Sequence, residues 1–252
     1  MSSMGKIFAV SGKGGVGKTT IAALMVGYLQ KINSVLAIDA DPNTNLDDAL
    51  GITIDQTLGD LREGMVGKEE NIPGGMSKAE YVQYQLQMAL VEAESFDFLA
   101  MGRQEGPGCY CYVNNLLRII MDGLGDKYSY VVVDNEAGME HLSRRTTRDV
   151  DCLFIVSDAS KIGLMTATRI HDLAEEMNLN VRMYTLILNR VDEKIVTDFE
   201  KIGRPTFNHV ELVPYDPEIE KMSLQGKPAI KAPSNSVASK AVKEILDRVR
   251  TR

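Results

Sequence analysis

Eight consecutive residues near the start of the chain, Gly12 to Thr19, have the types and order of a phosphate-binding loop. They match the pattern G-x-x-x-x-G-K-[ST] and follow an apolar run that is predicted to be a strand. Glycines let backbone N–H groups turn toward phosphate oxygens, and the following helix presents its positive N-terminus to the same anion. In this motif the lysine, Lys18, reaches the β and γ phosphates, and the Thr19 hydroxyl binds Mg²⁺. The nucleotide-contacting residues that we predict are Gly12, Gly14, Gly15, Val16, Gly17, Lys18, Thr19 and Thr20.

Two further apolar runs end in carboxylates. One ends at Asp39, with Asp41 two residues later, and the other continues from Val131 to Val133 directly into Asp134. The carboxyl ends of parallel strands meet at one edge of a sheet, so these side chains are expected beside the phosphate loop. Asp134 has the position of a carboxylate that holds hydrated Mg²⁺.

The segment after Asp134 is predicted to be a nucleotide-sensitive loop. Gly138 can follow the γ phosphate because glycine tolerates the dihedral change that such a loop requires. Glu136 is a candidate base, although an exposed loop carboxylate is the interpretation that we favour.

The positions of these residues require a sheet with helices on both faces. Seven short runs rich in Val and Ile are predicted to be buried strands: Lys6 to Val10, Ser34 to Asp39, Phe96 to Met101, Tyr130 to Asp134, Asp151 to Ser157, Val181 to Asn189 and Phe207 to Leu212. Helical spacing predicts five helices between or after them: Thr19 to Asn33, Lys78 to Ala93, Tyr112 to Leu124, Gly163 to Met177 and Val237 to Val249. Alternation of strand and helix predicts an α/β fold with a mostly parallel sheet.

We predict that residues 1–252 form a single domain without a linker or an internal repeat. An insertion at about Gly51 to Glu94 separates the second and third predicted strands, and a helix at about Ser236 to Arg250 ends the chain. The insertion is interpreted equally well as a partner or regulatory surface and as a solvated helical flap.

The composition bears on which partners the protein binds and in which compartment it works. The formal charge is −7, which argues against a basic nucleic-acid surface. No apolar stretch approaches the length of a membrane span, and there is no signal-peptide pattern. Three cysteines, an odd number, fit a reducing compartment better than a disulfide framework. We therefore expect a soluble cytoplasmic protein.

Two of the cysteines, Cys109 and Cys111, have a spacing that suits metal binding. Residues i and i+2 of an extended segment point the same way, so both sulfurs can face one ion. Two thiolates are too few for a structural Zn²⁺ or a square-planar Ni²⁺, each of which takes four ligands. A second copy of the pair across a two-fold axis is the best source of the other two ligands. Free surface thiols and a strained disulfide are the alternatives.

The remaining candidate ligands do not complete the site. Cys152 lies in an apolar run and is predicted to be a buried small hydrophobic residue. His141, His171 and His209 are scattered along the chain, and His171 is expected on a helix face.

A second lysine in the phosphate loop, Lys13, gives the sequence K-G-G-x-G-K-T-T, which resembles the deviant P-loop of the dimeric ATPases that include nitrogenase iron protein, MinD and ParA. The resemblance implies a P-loop NTPase of the SIMIBI class. It also implies that Lys13 crosses the dimer interface to the partner's nucleotide, that Asp41 orients the attacking water and that Asp39 supports the Mg²⁺ shell. A cation supplied in trans neutralises charge on the transferring phosphoryl group only when two subunits close. The predicted catalytic residues are Lys13, Lys18, Asp41 and Asp134.

The resemblance also implies a base site. Asn189 follows an apolar strand and corresponds to the asparagine that hydrogen-bonds the adenine edge, with Arg190 beside it. A turn from Pro214 to Asp216 is expected to close the other side of the ring. Because Asn189 to Asp192 also approximates the N-K-x-D guanine signature, the pattern leaves GTP open, and the resemblance favours ATP.

A narrower resemblance spans nearly the whole chain. The cysteine pair followed by a predicted helix, together with the run Glu136 to Arg144, is similar to the nickel-handling maturation ATPases of carbon monoxide dehydrogenase and acetyl-CoA synthase, called CooC and AcsF. This resemblance implies a homodimer that binds Ni²⁺ or Zn²⁺ through Cys109 and Cys111. It further implies that ATP is used to deliver nickel to the client enzyme.

Two other functions stay open at this point. One is a positioning or partition ATPase like MinD or ParA, for which Ser236 to Arg252 would be a weak amphipathic anchor; we favour packing of this helix on the sheet, without a stable membrane anchor. The other is an electron-transfer ATPase like nitrogenase iron protein, with a [4Fe–4S] cluster bridging the dimer.

Overall fold

The computed structural model describes residues 5–60, 75–102, 127–136, 150–192 and 206–251, and in these residues a single sheet organises the chain. Its strands are β1 (Lys6–Gly12), β2 (Val35–Asp39), β3 (Val91–Glu92), β4 (Asp97–Ala100), β5 (Tyr130–Asp134), β6 (Cys152–Ser157), β7 (Tyr184–Val191) and β8 (His209–Pro214). They lie in the order β3-β4-β2-β5-β1-β6-β7-β8. All neighbours are parallel except β3, which runs antiparallel to β4. The predicted α/β fold and its seven strands are confirmed, and β3 is an addition.

The described helices are α1 (Lys18–Leu29), α2 (Leu46–Leu50), α3 (Lys78–Ala89), α4 (Lys161–Glu176), α5 (Pro217–Leu224) and α6 (Val237–Arg250), with a 3₁₀ turn at Ala229–Lys231. Four of the five predicted helices are confirmed, and Tyr112 to Leu124 lies outside the described residues. The helix predicted over Lys78 to Ala93 ends early because Val91 pairs with β4 instead.

The sheet separates two apolar cores. Along β1, Ile7 and Ala9 face one core while Phe8 and Val10 face the other. Helices α3 and α4 cover the first face, and α1 and α6 cover the second. Central strands are therefore buried on both sides, which explains why their sequences are continuously apolar rather than alternating.

The C-terminal helix α6 packs against β8 and α1, as predicted. Its buried stripe is Ala238, Val242, Ile245, Leu246 and Val249. Val237 does not belong to this stripe, since 47% of its surface is exposed. The apolar side of this helix is thus used within the fold. In the described ranges, no helix is both long enough and apolar enough to span a bilayer.

Candidate nucleotide site

The loop between β1 and α1 depends on glycine at two places. At Gly12 an added Cβ would lie 2.2 Å from the carbonyl oxygen of Val156 on the neighbouring strand. Gly17 has a φ of +93°, in the left-handed region, and an added Cβ would lie 2.5 Å from Asn189 Nδ2. Because Gly12 and Gly17 have no side chains, the loop can lie close to β6 and β7. Larger side chains at these positions would push it outward.

The first turn of α1 is prepared for an anion. The residue before it, Gly17, offers no side-chain cap, so the first N–H groups of α1 have no such partner. Lys18 is buried, and its Nζ donates to the carbonyl oxygen of Lys13 at 3.4 Å. The predicted phosphate contacts from Gly12 to Thr20 therefore lie together around one helix N-terminus.

Asp134 lies beside this turn and accepts a hydrogen bond from the Thr19 hydroxyl. The side chain is 2% exposed, and its Oδ1 has no hydrogen-bond partner among the residues that the structure describes. Burial raises the pKa of Asp134 to about 7; the Thr19 hydrogen bond and the Lys18 charge act in the opposite direction, and Asp39 adds to the rise. A buried carboxylate with an unused oxygen next to a threonine hydroxyl fits Mg²⁺, which binds through few protein ligands together with nucleotide phosphates.

Asp39 lies opposite Asp134 on the neighbouring strand and is used differently. Its Oδ1 accepts the N–H of Asp41, and its Oδ2 accepts the N–H groups of Asn45 and Leu46, each at 2.9 Å. Burial raises its pKa to about 6, and the three backbone hydrogen bonds oppose the rise. Asp39 thus fixes the loop that carries Asp41 and the start of α2.

Asp41 itself is partly exposed, and its Oδ1 accepts the backbone N–H and the side-chain Nδ2 of Asn43 at 2.9 and 3.2 Å. Its charge contributes to the raised pKa of Asp134. The two predicted carboxylates Asp41 and Asp134 are therefore brought to the same edge of the sheet, as expected.

A cavity of about 280 Å³ opens next to Thr20. Its lining includes Asn189, Arg190 and Pro214, so the structure brings the three predicted base-site residues together. Asn189 Nδ2 donates to the carbonyl oxygen of Val16 at 2.8 Å, which ties the base site to the phosphate loop.

Asp216 belongs to the predicted turn and also lines this cavity, and its role as a helix cap was not predicted. Its Oδ1 accepts the N–H of Glu218 and its Oδ2 that of Ala238, both at 3.0 Å, so it caps α5 and ties it to the start of α6. These hydrogen bonds lower the pKa of Asp216 although burial opposes them. The sequence signal was present, because Asp before Pro-Glu is a typical start of a helix.

Lys13 is exposed at the outer side of the phosphate loop. Asp158 follows β6 on the same edge, and a hydrogen bond from the Ser160 hydroxyl lowers its pKa, with a smaller contribution from the Lys13 charge. Glu136 is exposed, which agrees with its interpretation as a loop carboxylate.

The predicted thiols Cys109 and Cys111, the predicted γ-phosphate contact Gly138 and the histidine His141 lie outside the described residues. In the ranges given above, no group of three or more His, Cys, Asp or Glu side chains is arranged to hold a metal.

Cys152 is buried, as predicted, and burial raises the pKa of its thiol to about 12. His171 lies on α4, as expected, with its ring 4.4 Å from that of Tyr184. His209 begins β8 and pairs with Thr185 of β7. Neither histidine completes a metal site in the described part of the chain.

The comparisons with known proteins agree with this geometry. Residues 7–229 match the profile of the CobQ/CobB/MinD/ParA nucleotide binding domain. An uncharacterized ATP-binding protein of Methanocaldococcus jannaschii is 43% identical over 250 residues, which is 96% of this chain and 98% of that protein. The carbon monoxide dehydrogenase accessory protein CooC of Rhodospirillum rubrum is 29% identical over 230 residues, covering 86% of this chain and 87% of that protein.

The fold has close structural neighbours as well. The cell division protein MinD of Aquifex aeolicus superposes with a TM-score of 0.73 at 24% identity, over 98% of each chain. With an intact phosphate loop and a match that covers most of its length, the chain belongs to the CobQ/CobB/MinD/ParA nucleotide-binding domain family and is a P-loop ATPase.

Proposed function

We propose that this ATPase is a nickel metallochaperone that matures the nickel cluster of carbon monoxide dehydrogenase or acetyl-CoA synthase. The observation that carries the proposal is the presence, in one chain, of the deviant phosphate loop with exposed Lys13 and the closely spaced pair Cys109 and Cys111. The similarity to CooC over 86% of the chain supports it.

The proposed nucleotide chemistry follows from the site. Mg²⁺, bound with the nucleotide, would be held by Thr19 and Asp134 and would supply positive charge to the phosphate oxygens. Lys18 and the free N–H groups of α1 bind the phosphates, and Asp41 orients the attacking water. Lys13 of a second subunit adds a cation when the homodimer closes, so turnover depends on closure.

Asn189 can bind the amino group of adenine. One N–H of its Nδ2 is used on the Val16 carbonyl, so the side chain offers a base the acceptor Oδ1 and one remaining N–H. Adenine presents an amino donor at C6, whereas guanine presents a carbonyl acceptor there. The carboxylate of Asp216 also lies in the cavity wall, where it accepts backbone N–H groups through both oxygens.

The metal cargo is proposed to bind between subunits. Two copies of Cys109 and Cys111 related by a two-fold axis would supply four thiolates, a set that accepts Ni²⁺ or Zn²⁺. If nucleotide drives closure and closure assembles the thiolates, linkage requires metal to strengthen nucleotide binding by the same factor. Hydrolysis then opens the dimer and releases the metal to the client.

The cargo site is tested by replacing both thiols, Cys109→Ser with Cys111→Ser. We expect about one divalent metal per dimer in the unsubstituted protein, by analogy with four-ligand thiolate sites, and none in the double variant, measured by elemental analysis after nickel loading. Cys152→Ala is the matched control, because that thiol is buried in β6 and should leave metal binding intact. Full metal content in the double variant would contradict the shared thiolate site, and a brown iron-containing protein would favour the electron-transfer alternative.

The trans role of Lys13 is tested by Lys13→Ala. Nucleotide binding should persist while hydrolysis falls by at least about 100-fold, since charge supplied in trans contributes factors of this size or larger in related phosphoryl transfer. Sedimentation with a nonhydrolysable ATP analogue should show loss of the dimer. Lys161→Ala is the control, because Lys161 is an exposed lysine near the same edge, at the start of α4. Undiminished hydrolysis in Lys13→Ala would contradict the role.

A positioning or partition ATPase is the second candidate, and membership in a family that contains MinD and ParA supports it. The packing of α6 on the sheet weighs against an amphipathic anchor at that helix. Nickel incorporation into an apo client with and without ATP distinguishes the two: ATP-dependent activation supports delivery. Nucleotide-dependent binding to vesicles or DNA, without activation of the client, would favour the alternative.

A further inference from the structure

We propose that Ser11 and Asn135 form a hydrogen bond in the nucleotide-loaded protein, and that this bond couples the phosphate loop to the loop that follows β5. The inference requires nucleotide binding by the phosphate loop, and it is independent of nickel.

The two residues occupy matching places beside the site. Ser11 immediately precedes Gly12, and Asn135 immediately follows Asp134. Val10 pairs with Asp134, and the N–H of Asn135 donates to the Val10 carbonyl at 2.9 Å, so the ladder between β1 and β5 continues by one step. Ser11 and Asn135 are therefore opposite each other on strands that lie about 5 Å apart.

Both side chains are on the same face of the sheet. Ser11 lies two residues after Ala9, and Asn135 two residues after Val133; Ala9 and Val133 belong to one apolar core. Since side chains alternate between faces along a strand, Ser11 and Asn135 point toward the face that α4 covers.

The side-chain amide of Asn135 uses its donor group but not its acceptor oxygen in the described residues. Its Nδ2 donates to the carbonyl oxygens of Val10, at 3.0 Å, and Val133, at 3.3 Å. Its Oδ1 and the Ser11 Oγ have no partner among the described residues, although both residues are 0% exposed. Buried polar groups are rarely left unpaired, and here an unused acceptor lies across the ladder from an unused hydroxyl donor.

The location of the Ser11 hydroxyl and the Asn135 Oδ1 indicates that nucleotide binding brings the two groups together. Phosphate binding draws the backbone of the loop after Ser11 toward the anion, and the segment that begins at Asn135 leads to Gly138, the predicted γ-phosphate contact. A small shift of either strand end, with rotation of the Ser11 hydroxyl, brings donor to acceptor. The two unpaired groups then become a contact of the nucleotide-loaded protein.

A double-mutant cycle of Ser11→Ala and Asn135→Ala tests this contact. The dissociation constant of a nonhydrolysable ATP analogue with Mg²⁺ is measured for all four proteins. Each single variant should bind about 5-fold more weakly, the order expected for loss of one neutral hydrogen bond, and the double variant should be no weaker than Asn135→Ala. The coupling between the two substitutions in the unfolding midpoint should be smaller without nucleotide than with the analogue bound, because the bond forms on loading.

Ser157→Ala provides the matched control. Ser157 is also a buried serine at the end of a neighbouring strand, but its hydroxyl donates to the Asp158 carbonyl. This variant should lose stability and show no coupling to Asn135→Ala in analogue binding. If Asn135→Ala does not fold, Asn135→Ser replaces it in the cycle, since a serine hydroxyl can still donate to a strand-end carbonyl.

Multiplicative effects of the two substitutions on analogue binding would overturn the contact. So would unchanged affinity in Ser11→Ala, because the hydroxyl would then be merely unsatisfied. Absence of analogue binding by the unsubstituted protein would overturn the nucleotide site and, with it, this contact.

Discussion

Two buried aspartates face each other across β2 and β5 and differ in almost every hydrogen bond they make. Asp39 accepts three backbone N–H groups through its two oxygens. Asp134 has one hydroxyl neighbour, Thr19, and an oxygen without a partner in the described residues. Burial raises the pKa of both, to about 6 for Asp39 and about 7 for Asp134.

The difference supports the proposal that Asp39 completes the fold and that Asp134 is left to hold Mg²⁺. A buried charge is tolerated when hydrogen bonds replace its hydration, as the loop from Asp41 to Leu46 does for Asp39. Asp134 lacks that replacement, so its charge is costly until a cation arrives. In the proposed role, the free energy that the unpaired charge of Asp134 costs the fold is recovered when the carboxylate binds Mg²⁺ with nucleotide.

The largest expected effect is that of Asp134→Asn. Removing the carboxylate should lower kcat by at least about 100-fold, since the electrostatic stabilisation of phosphoryl transfer is lost. The nucleotide-free protein should gain about 1–3 kcal/mol in its free energy of unfolding, because a buried unpaired charge disappears. Steady-state hydrolysis and urea unfolding measure the two effects. If Asp134→Asn is less stable than the unsubstituted protein without nucleotide, Asp134 is not a carboxylate left unpaired to hold Mg²⁺.

Asp39→Asn should change stability in the opposite direction. The amide has one acceptor oxygen where the carboxylate has two, so at least one of the N–H groups of Asp41, Asn45 and Leu46 loses its partner. We expect the free energy of unfolding to fall by about 1–2 kcal/mol, the usual cost of a buried unpaired group. Asp48→Asn, an exposed position on α2, should change it little. A stabilised Asp39→Asn variant would remove the distinction between the two aspartates.

A pH dependence isolates the contribution of Asp134 to stability. A pKa raised from 3.8 to about 7 in the folded protein means that this carboxyl costs no stability near pH 4, and that the cost develops as pH rises to about 7. The difference in unfolding free energy between Asp134→Asn and the unsubstituted protein, both without nucleotide and Mg²⁺, should grow from near zero at pH 4 to its full size above pH 7. A difference that is constant with pH would contradict the raised pKa.

Prediction from sequence succeeded where the signal is local. The seven strands were recognisable because a strand buried on both faces is continuously apolar, and the phosphate loop because its glycines and Lys18 are contiguous. Helix α2 was missed because five residues are too few to show a period. Strand β3 was missed because only its pairing with β4 makes two residues a strand.

The sequence by itself determined the α/β class, the phosphate-loop chemistry and the carboxylates at the strand ends, since each depends on neighbours in the chain. The tertiary structure decided what those groups contact. Only the folded chain orients Asn189 through the Val16 carbonyl, satisfies Asp39, and leaves Asp134, Ser11 and Asn135 with unused polar atoms. Hydrogen-bond partners at a strand end come from distant segments, and no local pattern specifies which donor will meet which acceptor.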